Sequence, residues 1–272
     1  MIGFNLLRSF VLIFLRIFSI AFNKNIFHSK YYTEWRRVRI KKLLSIYNVK
    51  NKKILELGAA TGAIGKILSK YGANVTISDA RAFLLEKIKS KNLTKIIINN
   101  DEDNWSKVFK NNERFDLIVH WGLLYHLYNW KEDLKECLKL ADYICLETVI
   151  IKVTEQEKKT RGGGNSGQVV FEYGQDQSAN FIAKIPSQES IEKYLKSQGC
   201  TFKRFDDKDL DVYLGYKDYY FPKFIVRFGN FFSKRKALIK NNKVCSANYS
   251  WDTNPPINSR RFWLIKSNNI KK

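Results

Sequence analysis

The chain has 272 residues, with 48 Lys+Arg against 26 Asp+Glu and a formal net charge of +22. That length can bury a full core, as one α/β domain with additions or as two small lobes, and the charge favours an anionic partner, either nucleic acid or an acidic membrane surface. Four cysteines, Cys137, Cys145, Cys200 and Cys245, show no C-x-x-C spacing and no metal-ligand grouping with the three histidines, which speaks against a metal site and for a reducing, cytoplasmic compartment.

Met1 to Phe22 is almost wholly apolar, interrupted by Arg8 and Arg16. A membrane span needs about 18 or more apolar residues with few charges, and two arginines in this stretch argue against one. The layout is not that of a secretory signal either, because its charge lies inside the apolar run and no small-residue cleavage site follows. On a helical wheel at about 100° per residue, Asn5, Arg8, Ser9, Arg16, Ser19 and Asn23 fall within roughly one 100° arc, with Leu12 intruding and Leu15 at its border. Residues 1–27 are therefore expected to form an amphipathic helix lying in a membrane surface. The competing arrangement packs that helix on the domain or on a second subunit.

From residue 28 to 272 the chain reads as one α/β domain. Residues 28–47 are polar and basic, with a helical pattern through Trp35, Val38, Leu43, Leu44 and Tyr47. A strand is expected at Lys53–Leu57, a helix at Thr61–Tyr71, a strand at Asn74–Asp79 and a helix at Arg81–Lys91. A third strand at Lys95–Asn99 leads to the acidic run Asp101-Glu102-Asp103 and a short helix. Phe115–His120 is a fourth strand, Lys131–Leu140 a helix and Tyr143–Ile151 a fifth strand. Ile185-Pro186-Ser187 opens a helix ending near Gly199, and Arg260–Ile265 supplies a terminal strand. Strands alternating with helices of about ten residues imply a parallel, doubly wound, Rossmann-like sheet, with ligands at the carboxyl edge of its strands.

The most informative run is Ile54-Leu55-Glu56-Leu57-Gly58-Ala59-Ala60-Thr61-Gly62-Ala63-Ile64-Gly65. A dinucleotide fingerprint requires G-x-G-x-x-G, and the second and third glycine positions counted from Gly58 hold Ala60 and Ala63, which removes that reading. The acid-x-Gly-x-Ala-x-Gly pattern resembles the first motif of class I S-adenosylmethionine-dependent methyltransferases. The resemblance implies their seven-stranded sheet and S-adenosylmethionine as cofactor. Gly58, Ala60 and Gly62 would let the backbone pass the methionine part of the cofactor, with Glu56 near its amine. Asp79, with Ala80 beside it, would accept hydrogen bonds from the ribose hydroxyls. The Asp101–Asp103 stretch would sit by adenine, through Asp101 or Glu102. Each of these acids has a competing use as a helix N-cap.

Phe115–Leu127, ending Trp121-Gly122-Leu123-Leu124-Tyr125-His126-Leu127, resembles the segment after the fourth strand of many small-molecule and RNA methyltransferases. By that resemblance Trp121 borders the cofactor, and Tyr125 and His126 contact substrate or accept a proton; imidazole has an unperturbed pKa near working pH. A satisfied core cluster is the alternative for the pair. Thr33-Glu34-Trp35-Arg36, Leu146–Ile151, the Pro186-Ser187 segment and Arg260–Ile265 are similar, in order and spacing, to the transfer-RNA wobble-uridine carboxymethyltransferases, which use carboxy-S-adenosylmethionine. Tyr125 and Arg261 match that family's positions for the extra carboxylate, and an arginine fork suits a carboxylate. That family's additional N-terminal domain is not expected, because only the apolar helix and a short basic segment precede Thr33.

The methyltransferase domain then divides into a cofactor half at 50–151, a lid with substrate-side additions at 152–259 and the terminal strand at 260–266. Lys152 to Pro186, polar and glycine-bearing, suits a flexible lid. Tyr213 to Trp251 interleaves aromatics with lysine, which fits base stacking on RNA or the small core of an inserted hairpin. The expected activity is methyl transfer to a small molecule, a lipid or RNA. Carboxymethyl transfer to a transfer-RNA wobble uridine and a non-catalytic membrane or RNA adaptor are the alternatives.

Overall fold

A computed structural model describes residues 39–110, 113–151, 168–172, 178–205 and 261–268, and the backbone alone of 238–240, 243–245 and 257–260. The expected N-terminal helix lies outside the described residues, as does most of the aromatic and lysine-rich stretch. The chain divides into two compact units, 43–206 with 256–272 and 1–42 with 207–255.

The larger unit is built on apolar runs that in its central strands are buried almost throughout, as a parallel sheet covered on both faces requires. Its strands are β1 (Lys53–Leu57), β2 (Asn74–Asp79), β3 (Leu93–Ile97), β4 (Phe115–Trp121), β5 (Ala141–Ile151), β8 (Thr201–Phe205) and β11 (Ile257–Lys266), in the order β3-β2-β1-β4-β5-β11-β8. Strands β1 to β5 pair in parallel, and β11 runs antiparallel between β5 and β8. The expected seven-stranded, mostly parallel sheet is therefore present. Helices α1 (Ala63–Lys70), α2 (Ala82–Glu86), α3 (Trp130–Leu140) and α4 (Gln188–Ser197) connect it. Leu55 and Leu57 of β1 join Leu134, Cys137 and Leu138 of α3 and Ile191 and Leu195 of α4 in one buried cluster. Helix α4 starts where Ser187 accepts the Ser190 N–H at 3.1 Å, a side-chain cap.

Several boundaries shift from the sequence expectation: α1 starts at Ala63 rather than Thr61, β5 at Ala141 rather than Tyr143 and β11 at Ile257 rather than Arg260. β3 begins two residues earlier, because its register is set by pairing with β2, Val75 opposite Leu93 and Asp79 opposite Ile97. Helix α2 stops at Glu86 rather than continuing to Lys91: the chain turns there, and Ile88 packs against the position of Gly62. The expected lid also contains regular structure, since β6 (Gln168–Phe171) and β7 (Ile182–Ile185) form an antiparallel hairpin. In the smaller unit, β9 (Leu238–Lys240) and β10 (Lys243–Cys245) pair as a second hairpin, within the stretch where an inserted hairpin is expected. Among the described residues, no helix is long and apolar enough to cross a membrane.

Candidate functional site

The parallel register brings the ends of β1, β2 and β4 to one edge, with Leu57 beside His120 and Glu56 beside Ile77. Between β1 and α1 the backbone is left-handed at Gly58 (φ +62°), Ala60 (φ +48°) and Gly62 (φ +64°). Glycine adopts this freely, whereas alanine there is strained by roughly 1–2 kcal/mol. The strain at Ala60 is held by Asp79, whose Oδ2 accepts the Ala60 N–H at 3.0 Å. A side chain at Gly58 would also press on Leu123, with a Cβ 3.2 Å from its Cδ1. The turn is thus a bare backbone surface backed by the segment that follows β4.

Asp79 is 1 % exposed at the end of β2. Its Oδ1 accepts the Arg81 N–H at 3.0 Å and the Arg81 Nε–H at 2.9 Å. Glu56, expected beside the cofactor amine, is 2 % exposed and has a structural partner: its Oε2 accepts the Gly65 N–H at 2.7 Å in the first turn of α1. A carboxylate is favourable at a helix N-terminus, where the backbone donors are otherwise unpaired. No acid lies in the first turn of α1 itself and its Gly62 cap has no side chain, so a strand residue does the capping.

Asp101 and Glu102 separate. Asp101 is buried, and its carboxylate accepts the N–H groups of Tyr128 (3.1 Å) and Asn129 (2.8 Å), with Asn180 Nδ2 at 3.4 Å. Burial pushes its pKa up, against the lowering effect of those hydrogen bonds. Asp101 therefore ties down the loop before α3, and the exposed Glu102, hydrogen-bonded to Asn99 at 3.1 Å, is the acid of this pair that faces solvent. Trp121, expected at the cofactor, directs its indole N–H to Cys145 Sγ at 3.3 Å and its ring against Phe262, so its polar atom is used inside the fold. Ala80 follows Asp79 directly and is half-buried.

The sequence showed no grouping of cysteine with histidine, but the fold makes one: His120, Asp133 and Cys137 hold ligand-type atoms within 4.8 Å of one another, all fully buried. Asp133 Oδ2 lies 2.6 Å from His120 Nε2, and its Oδ1 accepts from Asn100 Nδ2 at 2.8 Å. Burial, reinforced by the charges of Asp133 and Glu136, pushes the Cys137 thiol well up. Both carboxylate oxygens are satisfied by hydrogen bonds and the thiol is held neutral, which is the pattern of a core network.

Tyr125 and His126 stand on a short 3₁₀ turn, Leu124–His126, just past the carboxyl end of β4. Their rings lie 4.0 Å apart between centroids. His126 Nδ1 lies 2.6 Å from Oε2 of Glu172, the residue after β6, and the same oxygen accepts the Ser178 N–H at 2.9 Å. The Lys184 N–H donates to Leu127 O at 3.0 Å, fastening β7 to this turn. Glu172 was not singled out in the sequence: it lies in the expected lid, and no local pattern marks it. Arg261, opposite Thr148 in the β5–β11 register, donates from Nε to Gln188 Oε1 at 3.3 Å.

Comparison with known proteins agrees with this architecture. A family model described as a methyltransferase domain matches residues 27–202. A human protein, methyltransferase-like protein 21E pseudogene, is 31 % identical over 120 residues, covering 39 % of this chain and 41 % of that relative. The chain thus spans about two fifths of the length of that curated relative. Among solved structures, the N-terminal domain of EvdMO1 with SAH bound superposes with a TM-score of 0.51 at 14 % identity, over 86 % of this chain and 80 % of that one. The DhpI-SAM-HEP complex gives 0.50 at 15 % identity, over 68 % and 86 %. YcgJ from Bacillus subtilis gives 0.50 at 10 % identity, over 85 % and 97 %. These likenesses fix the fold, and the family model, which covers more than half of the chain, fixes the family: the chain belongs to the methyltransferase-domain family.

Proposed function

We propose that the carboxyl edge of the sheet binds S-adenosylmethionine through Asp79 and the Gly58–Gly62 turn and transfers its methyl group to an acceptor lodged beside Tyr125 and His126. The observation that carries this reading is Asp79 itself, a buried carboxylate hydrogen-bonded to a turn whose backbone is left-handed at Gly58, Ala60 and Gly62, with side chains crowding the two glycine positions. The cofactor supplies an electrophilic methyl group on a sulfonium for in-line displacement. A carboxylate offers about four lone-pair sites, and three of those on Asp79 are already used. Two ribose hydroxyls therefore require Arg81 Nε to release its oxygen. Glu102 is the group proposed for the adenine amine. His126 takes the acceptor's proton, and the turn orients the reacting atoms, where most of the rate advantage of a bound pair arises.

Binding is tested by titration calorimetry with S-adenosylmethionine. Heat with one-to-one stoichiometry is expected, and no binding at millimolar ligand refutes the assignment. The acceptor is sought by incubating the protein and tritiated S-adenosylmethionine with cell extract, then following label into lipid, small-molecule and RNA fractions. Two sequence features support a lipid or nucleic-acid acceptor: the +22 charge and the amphipathic pattern of residues 1–22. Deleting residues 1–22 is expected to abolish flotation with anionic liposomes, and unchanged flotation removes the membrane reading. For carboxymethyl transfer, the support is the sequence resemblance of the Thr33–Arg36, Leu146–Ile151, Pro186-Ser187 and Arg260–Ile265 segments, with Tyr125 and Arg261 at the carboxylate positions. Mass spectrometry of the co-purified ligand distinguishes that donor from S-adenosylmethionine.

A further inference from the structure

Two buried histidine–carboxylate pairs lie near the carboxyl end of β4, and they differ in what their second imidazole nitrogen meets. In the His120–Asp133 pair both side chains are 0 % exposed, and His120 Nδ1 is buried in the core with no hydrogen-bond partner among the described residues. No substrate reaches it there. In the other pair the His126 side chain is 10 % exposed, Nδ1 faces Glu172, and Nε2 takes no hydrogen bond among the described residues. That histidine stands on the turn adjoining Leu123, whose side chain backs the Gly58 position of the cofactor turn.

Glu172 is itself held in place. Its N–H donates to Phe181 O at 2.9 Å, closing the β6–β7 hairpin. The Ser178 N–H donates to Oε2, Ser178 Oγ donates to Ile182 O at 2.8 Å, and Lys184 anchors the hairpin to Leu127. The carboxylate is therefore delivered to His126 by an ordered element and not by a long free side chain. A carboxylate facing one imidazole nitrogen fixes the proton on that nitrogen and leaves the lone pair on the other, since the two tautomers are otherwise near in energy. Among the described residues, Glu172 Oε1 is buried without a hydrogen-bond partner. An unsatisfied buried carboxylate oxygen costs free energy, a cost that a fold tolerates where the group serves the site.

We propose that Glu172 is the positioning residue for methyl transfer: from the β6–β7 hairpin it holds His126 in the Nδ1–H tautomer, so that Nε2 is the proton acceptor and the site takes an acceptor carrying an O–H or N–H. The inference rests on the methyl-transfer reading above. In the reaction the acceptor's O–H or N–H bond breaks and its proton passes to Nε2. The heteroatom's electron pair forms the new bond to the methyl carbon, and the sulfur–methyl bond breaks with its electrons remaining on sulfur. The products are methylated acceptor, neutral thioether and imidazolium beside the Glu172 carboxylate. Charge and protons balance with no further reactant.

The test reads the tautomer directly by nitrogen-15 NMR of histidine-labelled full-length protein at about pH 8, where an ordinary imidazole is neutral. Only three histidines need assignment, His28, His120 and His126. In the wild type, His126 is expected as Nδ1–H with an unprotonated Nε2. Glu172→Gln keeps an acceptor oxygen and is expected to keep that tautomer, whereas Glu172→Met removes the acceptor and is expected to give a mixture of the two. A proton on Nε2 in the wild type, in a neutral or a cationic ring, overturns the proposal, as does an unchanged tautomer in Glu172→Met. If Glu172→Met does not fold, Glu172→Ala replaces it, and the wild-type spectrum decides by itself. Calorimetry with S-adenosylmethionine on the same samples separates the two levels of inference. Equal affinity across the variants is expected. Affinity lost in folded Glu172→Met alone makes Glu172 a structural tie and overturns the proposal. No binding by the wild type removes the methyl-transfer reading, while the tautomer still judges the pair.

Discussion

Gly65→Ala sets two effects of opposite sign against each other. Gly65 lies in the first turn of α1, and replacing a helical glycine with alanine ordinarily stabilises by about 1 kcal/mol. Here the new Cβ would lie 2.7 Å from Glu56 Oε2 and 2.7 Å from Ile77 Cγ2, with Val75 Cγ1 at 3.3 Å. Glu56 and Ile77 are register neighbours across β1 and β2, and both are almost fully buried. A Cβ there acts as a wedge between α1 and the paired strands β1 and β2. Carbon contacts relax near 3.5–4.0 Å, so each neighbour must give by close to an ångström, and neither has solvent to move into. Overpacking of this kind costs roughly 1–3 kcal/mol per site, and the Gly65–Glu56 hydrogen bond is strained as well. The net expectation is a loss of about 1–3 kcal/mol. With a urea m-value of about 2 kcal/mol/M, the unfolding midpoint should fall by about 0.5–1.5 M. S-adenosylmethionine affinity should weaken with it, because α1 and the Gly58–Gly62 turn move together. A variant as stable as the wild type, or more so, would show that helix propensity outweighs packing here and that Glu56 does not pin α1.

Asp79→Asn removes the charge and one acceptor from the proposed ribose site. At about 1.5–3 kcal/mol for a hydrogen bond to a charged group, S-adenosylmethionine should bind roughly 10- to 100-fold more weakly by calorimetry, and unchanged affinity would exclude Asp79 from the cofactor site. Asp133→Ala strips partners from His120 and Asn100 in the core. About 3 kcal/mol should be lost, lowering Tm by about 6–12 °C with cofactor affinity within a few-fold of wild type; an unchanged Tm would refute the network. Although burial pushes the Asp116 carboxyl up, hydrogen bonds from Lys52 and the Lys53 N–H hold it below its ordinary value. A depressed native value contributes stability above the unfolded pKa of about 4 and loses it as pH falls through the native one. Asp116→Asn should therefore be less stable by about 1 kcal/mol at neutral pH, with the gap closing in acid; urea midpoints that differ equally at both extremes would contradict this sign.

Local features carried much of the site. The spacing of Gly58, Ala60 and Gly62 states a backbone requirement, and all three positions are left-handed. Strands β1 and β2 match their expected limits, since a continuous apolar run between turn residues leaves few other readings. The limits of β3 and α2 were set instead by partners, β2 for the one and the burial of Ile88 for the other. Glu172 was illegible for the same reason: it meets His126 across 46 positions of sequence, through a hairpin whose strands carry no strong pattern.

By itself the sequence determined six of the sheet's seven strands, the carboxyl-edge turn and most of the candidate acids and bases, because apolar periodicity and glycine placement act over a few residues. It could not sort those carboxylates. Tertiary structure assigned Glu56 to the N-terminus of α1, Asp101 to the loop before α3, Asp133 to His120 and Glu172 to His126, and set Asp79 over the turn. A carboxylate's role depends on which donors come within about 3 Å of its oxygens. Those donors arrive from strands and loops far away in the chain, so only the folded arrangement decides which acid serves the fold and which serves the site.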